Sequence, residues 1–74
     1  MSPHLPMLKA TEVLAMLRRQ GFVAVRQNGS HVILEHPDGR RTVVPLHRAR
    51  DLPRGLLAQV LKDARLSINE LTGS

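Results

Sequence analysis

The chain has 74 residues, of which 42% are hydrophobic and one, Phe22, is aromatic. This length suffices for one compact domain, which buries only about 60–65% of the surface exposed by the unfolded chain. The core must therefore be aliphatic, and a sheet that stacks RNA bases on aromatic rings is excluded. The chain has no Cys, which excludes disulfides, thiolate zinc sites and Cys nucleophiles.

Eleven Lys and Arg residues against six Asp and Glu residues give a net charge of +5, and most of the basic residues are Arg. The planar guanidinium matches phosphate oxygens, which favours a polyanionic partner. Solubility is an alternative explanation, because small domains often carry a net charge of about 2–8. No apolar run approaches the roughly 20 residues that span a bilayer, and Met1–Met7 lacks a signal-peptide core. The sequence predicts a cytoplasmic protein without membrane contacts.

The first predicted element is a helix. Residues 1–9 contain two prolines and no periodicity, so they are expected to form a loose arm resting on the domain. From Ala10 onward, apolar residues recur at helical spacing. With Thr11 as N-cap and Gly21 as a left-handed stop, the first helix is predicted to run from about Thr11 to Gln20.

Three β-strands are predicted in the middle of the chain, at Phe22–Gln27, Ser30–His36 and Arg40–Pro45. The dipeptide Asn28-Gly29 between the first two strands is a strong hairpin signal. Pro37-Asp38-Gly39 predicts a second turn. The three strands should form an antiparallel meander.

Pro53 is expected to open a second long helix, because the first helical position needs no backbone N–H. Ser67 and Glu70 fit the capping-box pattern and predict a final short turn through Leu71. The predicted apolar stripe of the second long helix comprises Leu56, Leu57, Val60, Leu61 and Ala64.

The expected fold is therefore α+β with the order α-β-β-β-α. A three-stranded antiparallel sheet would carry both helices packed on one face and leave its other face open to water or a partner. Residues 10–71 should form a single domain, and residues 72–74 should fray.

Two segments of the chain, "GFVAVRQNGSHVILEHPDGRRTVVPLH" and "LPRGLLAQVLKDARLS", resemble the HicA family of bacterial toxin–antitoxin modules. The resemblance extends from Ala10 to about Leu71. It implies a double-stranded-RNA-binding-domain-like fold and a toxin that cleaves mRNA until a HicB-type antitoxin protein blocks it. The matching motifs are Gly21-Phe22, Arg26-Gln27, Gly29-Ser30-His31, His36-Pro37-Asp38-Gly39-Arg40 and Pro45-x-His47.

The resemblance places the family's catalytic histidine on His31. A ribonuclease without metal needs a group that takes a proton from the ribose 2′-OH or gives one to the departing 5′-oxygen, and His does either near neutral pH. Gly29 lets the backbone approach a phosphate, and Ser30 can donate a hydrogen bond. The alternative is a partly buried strand histidine bonded to its neighbours. Both sides of this strand carry apolar residues, so either side could be the open one.

Other candidate residues are less specific. His47 could contact a phosphate or complete an acid/base pair, or it could be a loop residue in solvent. His36 is interpreted as a surface residue beside a turn. With no Cys and no His pair at helical ligand spacing, neither a metal nor another cofactor is predicted.

Several arginines are candidates for binding the phosphates of the substrate. Arg26 is the first choice because it directly precedes the predicted hairpin turn. Arg40 and Arg41 should point to opposite sides of a regular strand, so at most one of them can flank His31. The full set of candidates is Arg26, Arg40, Arg41, Arg48, Arg50 and Arg54.

Two positions depart from the family pattern. Val32 stands where these toxins often repeat His. Arg65 stands where the family commonly has a Gly that ends the last long helix, and a residue with a side chain tolerates that left-handed conformation poorly.

The sequence is compatible with three interpretations of function. The leading one is a metal-independent endoribonuclease acting on mRNA, with His31 as acid/base. The second is a non-catalytic RNA-binding module with the same architecture. The third is an interaction protein whose open sheet face docks a partner.

Overall fold

The computed structural model describes residues 5–46 and 51–73. Its strands form one antiparallel sheet in the order β1-β2-β3. The predicted α+β fold, with a helix, three antiparallel strands and a second long helix, is confirmed, and a third short helix follows. The elements are α1 (Ala10–Arg19), β1 (Val23–Asn28), β2 (His31–Glu35), β3 (Arg41–Pro45), α2 (Arg54–Ala64) and α3 (Ile68–Thr72).

Helix α1 begins slightly earlier than predicted. Its N-cap is Lys9, whose backbone N–H donates a hydrogen bond to the Glu12 carboxylate at 3.0 Å. The prediction of Thr11 as N-cap is wrong, because Glu12 already satisfies the free donor at position 9 and Thr11 lies inside the first turn. The predicted stop is confirmed, since Gly21 follows the helix with φ +96°.

The β1–β2 hairpin turns at Gly29 and Ser30. Asn28 and His31 pair with each other as the last residues of the hairpin ladder. Gly29 has φ +61° and Ser30 has a negative φ, which is the pattern of a type II′ turn with Gly at the first central position. The prediction of Asn28-Gly29 as the turn is therefore wrong by one residue.

The core lies between the helices and one face of the sheet. Val32 and Leu34 of β2 and Val44 of β3 supply the sheet side, and burying each such side chain contributes about 1.5–3 kcal/mol. The helices supply Ala10, Val13, Leu14, Leu17, Leu57, Val60, Leu61, Ala64 and Leu71. Leu56 is 41% exposed, so its predicted place in the apolar stripe is wrong.

The segment between α2 and α3 begins with a left-handed residue and ends with a capping box. Helix α2 ends at Arg65, which adopts the left-handed conformation with φ 56° and ψ 43° despite its side chain. Helix α3 begins with the predicted capping box: Ser67 Oγ accepts from the Glu70 N–H at 3.0 Å, and the Glu70 carboxylate accepts from the Ser67 N–H at 2.9 Å. Among the described residues, no helix is both long and apolar enough to cross a membrane.

Candidate active site

The side of β2 that carries His31 is the open face of the sheet. His31 and Glu35 are exposed and Ile33 is half-buried, whereas Val32 and Leu34 face the core. The alternative in which His31 is a partly buried strand residue is therefore wrong. The alternation of residues along β2 does not distinguish the two faces. The packing of the helices over Val32 and Leu34 determines that the face with His31 is open.

His31 lies between the other two strands at one end of the sheet. Its cross-strand partners are Asn28 of β1 and Pro45 of β3. Directly opposite residues project from the same face with Cβ atoms about 4.5–5.5 Å apart, so Asn28 is the polar neighbour of His31 on β1. Asn28 was not predicted as a neighbour of His31 because the Asn-Gly pattern favours a turn at Asn28 and Gly29. A two-residue turn at Gly29 and Ser30 would have predicted the pair.

Arg26 lies on the same open face as His31. From the turn, the ladder is regular through the pairs Asn28–His31, Gln27–Val32 and Arg26–Ile33, so Arg26 projects from the same face as Asn28. The register shifts only beyond it, between Ala24 and Arg26, where Val25 forms a β-bulge. Arg26 is thus the diagonal neighbour of His31, at a backbone separation of about 7–8 Å that an arginine side chain can span.

The turn beside His31 exposes backbone and hydroxyl groups. Gly29 and Ser30 are both exposed, and open space surrounds the position where a Cβ of residue 29 would lie. The Ser30 carbonyl accepts a hydrogen bond from the Leu46 N–H at 2.5 Å, which ties the turn to the end of β3. A phosphodiester can therefore approach this edge with an imidazole, a hydroxyl and a guanidinium within reach.

Arg40 lies at the opposite end of the sheet, beyond the last residue of β2. The strand spans about 13 Å from His31 to Glu35. The Arg40 guanidinium donates from Nε to the Asp38 carboxylate at 2.8 Å and from Nη1 to the Ala64 carbonyl at 2.7 Å. The structure thus does not bring Arg40 to His31, and its contacts favour a role in joining α2 to the β2–β3 turn.

His36 belongs to the same structural cluster. Its ring packs edge-on against Phe22 with centroids 5.1 Å apart. Its Nε2 lies 3.1 Å from the Gln20 carbonyl, and its Nδ1 lies 3.1 Å from the Asp38 N–H. The interpretation of His36 as a surface residue is wrong, because the ring fastens the β2–β3 turn to the end of α1.

The remaining candidates lie elsewhere. His47 and the two arginines that follow it closely fall outside the described residues. Arg54 donates a hydrogen bond to the Leu5 carbonyl at 3.1 Å. Arg41 shares the open face but lies 3.8 Å from Glu35, at the end away from His31. Across residues 5–46 and 51–73, no group of three or more His, Asp or Glu side chains could hold a metal ion.

These observations define a small α+β domain whose open sheet carries an exposed histidine beside a glycine-serine turn. Residues 10–66 match the family described as the HicA toxin of bacterial toxin–antitoxin systems. This match covers well over half of the 74 residues, so the chain belongs to the HicA toxin family. The family supports a toxin role that is paired with an antitoxin. No curated protein matches the chain at a significant level.

One departure from the family pattern has a simple structural meaning. Val32, where the family often repeats His, is 5% exposed and faces the core. Side chains at positions 31 and 32 point to opposite faces of the sheet. The valine therefore contributes to packing and leaves the open face at His31 unchanged.

Proposed function

We propose that this toxin is an endoribonuclease that cleaves mRNA without a metal ion and uses His31 as its acid/base. The observation that carries the proposal is the exposure of His31 on the open sheet face, beside the turn at Gly29 and Ser30 and diagonal to Arg26. Membership of the HicA toxin family supports the same conclusion.

In the proposed reaction, the ribose 2′-oxygen attacks the adjacent phosphorus. The new bond joins the 2′-oxygen to phosphorus, and the bond from phosphorus to the 5′-oxygen breaks. His31 takes the proton of the 2′-OH or gives a proton to the departing 5′-oxygen, and water can serve as the second partner at this exposed edge. The products are a 2′,3′-cyclic phosphate and a 5′-hydroxyl.

The phosphate is held by the charged and polar groups around His31. Arg26 would neutralise the charge that develops on the phosphate oxygens, and the Ser30 hydroxyl and the backbone at Gly29 would position them. Phe22, the one aromatic residue of the chain, is 2% exposed and offers no surface for base stacking. We therefore propose a relaxed sequence preference, because phosphate contacts carry no sequence information.

The decisive experiment compares His31→Ala with Glu35→Ala, a variant of an exposed residue at the other end of β2. Single-stranded RNA is incubated with each protein in EDTA, beside the same RNA carrying a 2′-deoxyribose at the cleavage position. We expect His31→Ala to lose about 10²–10⁴-fold in rate with its fold and RNA affinity intact. Glu35→Ala should cleave normally, and the deoxy substrate should resist.

Three results would count against this proposal. Cleavage by His31→Ala at the normal rate would remove His31 from the mechanism. Loss of cleavage in EDTA, restored by a divalent ion, would make the reaction metal-dependent. RNA binding without any cleavage by the wild-type protein would favour the second candidate, a non-catalytic RNA-binding module.

For the partner, we propose an acidic, HicB-type antitoxin that covers the edge formed by Gly29, Ser30 and His31. The net charge of +5 would speed its association by electrostatic steering. Such a complex should not cleave RNA, and His31 should be protected from chemical modification in it. Equal reactivity of His31 in the free and the inhibited toxin would exclude direct occlusion.

A further inference from the structure

A groove of about 340 Å³ opens between α1 and β1, on the helix side of the sheet. Leu14, Val32 and Leu46 supply aliphatic surface inside it, and Arg18 stands on its α1 side. None of its lining residues, all of which belong to the described part of the chain, is acidic. The groove is thus apolar inside and basic at its α1 margin.

The groove exists because the helices leave β1 uncovered. All six residues of β1 are exposed. Ala24 and Gln27 pair with Leu34 and Val32, which are themselves buried, so these two residues lie on the core side of the sheet but remain exposed beside α1. The core layer is therefore incomplete along this strand.

The outer edge of β1 is also unpaired in the part of the chain that the structure describes. The strand pairs with β2 on one side, and no strand of residues 5–46 and 51–73 lies on its other side. An edge strand presents free backbone N–H and C=O groups that can bind another extended chain. Val25, the extra residue of the bulge, adds an apolar side chain that is 52% exposed at the same place.

We propose that this surface, which we name the β1 groove, binds an extended segment of the antitoxin in which acidic and apolar side chains alternate. An apolar side chain would enter between α1 and β1, and an acidic side chain would pair with Arg18. The inference rests on the proposed function only in taking the antitoxin as the partner. It adds a second docking surface, on the opposite side of the sheet from His31.

The chemistry of the β1 groove favours protein over RNA. Single-stranded RNA binds through base stacking on aromatic rings together with phosphate contacts. The groove offers aliphatic side chains and edge backbone groups, which suit a β-strand with an apolar residue. Inhibitor docking here is therefore separable from RNA cleavage at the open face.

Two pairs of variants test the proposal, each with a control of the same residue type on the same element. Arg18→Glu is compared with Arg19→Glu, because Arg18 lines the groove and Arg19 does not. Val25→Asp is compared with Val23→Asp, since these two valines are 52% and 57% exposed and only Val25 lines the groove. The Kd of each variant is measured with a HicB-type antitoxin that inhibits the wild-type toxin, and cleavage of single-stranded RNA is measured without it.

We expect Arg18→Glu and Val25→Asp to raise the Kd about tenfold or more, and the two controls to change it by less than about threefold. Arg18→Glu should leave RNA cleavage by the free toxin unchanged. An unchanged Kd in both groove variants would overturn the proposal. Loss of RNA cleavage in Arg18→Glu with a normal Kd would also overturn it, because the groove would then bind RNA.

A photo-crosslinking residue at position 25 or 23 of the purified complex gives a second measurement that does not depend on destabilising changes. Position 25 should crosslink to an antitoxin segment that alternates acidic and apolar residues, and crosslinks from position 23 alone would overturn the proposal. If the wild-type toxin cleaves no RNA, the proposed function is wrong. The Kd comparison and the crosslinks would still test whether the antitoxin binds at the β1 groove.

Discussion

Arg26 owes its position on the open face to the register set by the turn at Gly29 and Ser30. The pairs Asn28–His31, Gln27–Val32 and Arg26–Ile33 follow the turn without interruption. Val25 is inserted only beyond them, before the pair formed by Ala24 with Leu34. The turn therefore brings a guanidinium close to His31, and the bulge leaves Val25 exposed at the β1 groove.

We predict that Arg26→Ala weakens the binding of all RNA sequences alike. If Arg26 contacts a phosphate, its removal should lower the slope of log affinity against log salt by about one. Arg41→Ala is the matched control, because Arg41 lies on the same face beside Glu35 at the far end of β2. Fluorescence titrations at several salt concentrations would measure both variants, and an altered sequence preference in Arg26→Ala would show that it reads bases.

The sequence predicted the residues around His31 better than it predicted those around His36. His31, Ser30 and Gly29 are neighbours along the chain, so a short motif contains them. His36 and Arg40 instead take their partners from distant segments, the Gln20 carbonyl and the Ala64 carbonyl. Local patterns carry no information about such contacts, which arise only when the helix ends pack against the β2–β3 turn.

Among the elements, the helices and strands were predictable and their ends were not. Apolar periodicity identified all three strands and both long helices. The ends depend on which polar group satisfies a free backbone donor or which turn type a glycine adopts. Glu12 thus moves the start of α1 to Ala10, and the positive φ of Gly29 extends β1 to Asn28.

The end of α2 supports a second prediction. Arg65 is exposed and occupies the left-handed region with φ 56°, a conformation that costs a residue with a side chain about 1–2 kcal/mol. Arg65→Gly removes this cost, and part of the gain is lost to the greater freedom of glycine in the unfolded chain. We expect the free energy of unfolding to rise by about 0.5–1 kcal/mol in urea denaturation.

Lys62→Gly is the control for this substitution, because Lys62 lies within the last turn of α2. A glycine there should lower stability by about 1 kcal/mol. If Arg65→Gly also lowers stability, the arginine side chain must contribute contacts that outweigh its backbone conformation.

Two carboxylates in different parts of the fold, Asp38 and Glu70, have lowered pKa values. Burial raises the pKa of Asp38, but hydrogen bonds from the backbone N–H and the guanidinium of Arg40 outweigh it and hold the pKa below its ordinary value of 3.8. Hydrogen bonds from the Ser67 backbone and hydroxyl lower the pKa of Glu70 below its ordinary value of 4.5. Both carboxylates bind protons more readily in the unfolded chain than in the folded one.

We therefore predict that the domain loses stability in acid and that the ionised carboxylate of Glu70 contributes to this loss. A depressed pKa in the folded state contributes stability that is present above the unfolded value and is lost as the pH falls through the folded one. Glu70→Gln keeps a side chain that can complete the capping box but cannot titrate. The free energy of unfolding of the wild type should exceed that of Glu70→Gln by a constant amount above about pH 5, and this difference should shrink as the pH falls below 4.5.

Urea denaturation of both proteins between about pH 7 and pH 3 measures the difference directly. The comparison removes the effect of the four histidines and of the growing positive charge in acid, which both proteins share. A difference that stays the same at every pH would mean that the ionised carboxylate of Glu70 contributes no more to the folded state than a neutral amide.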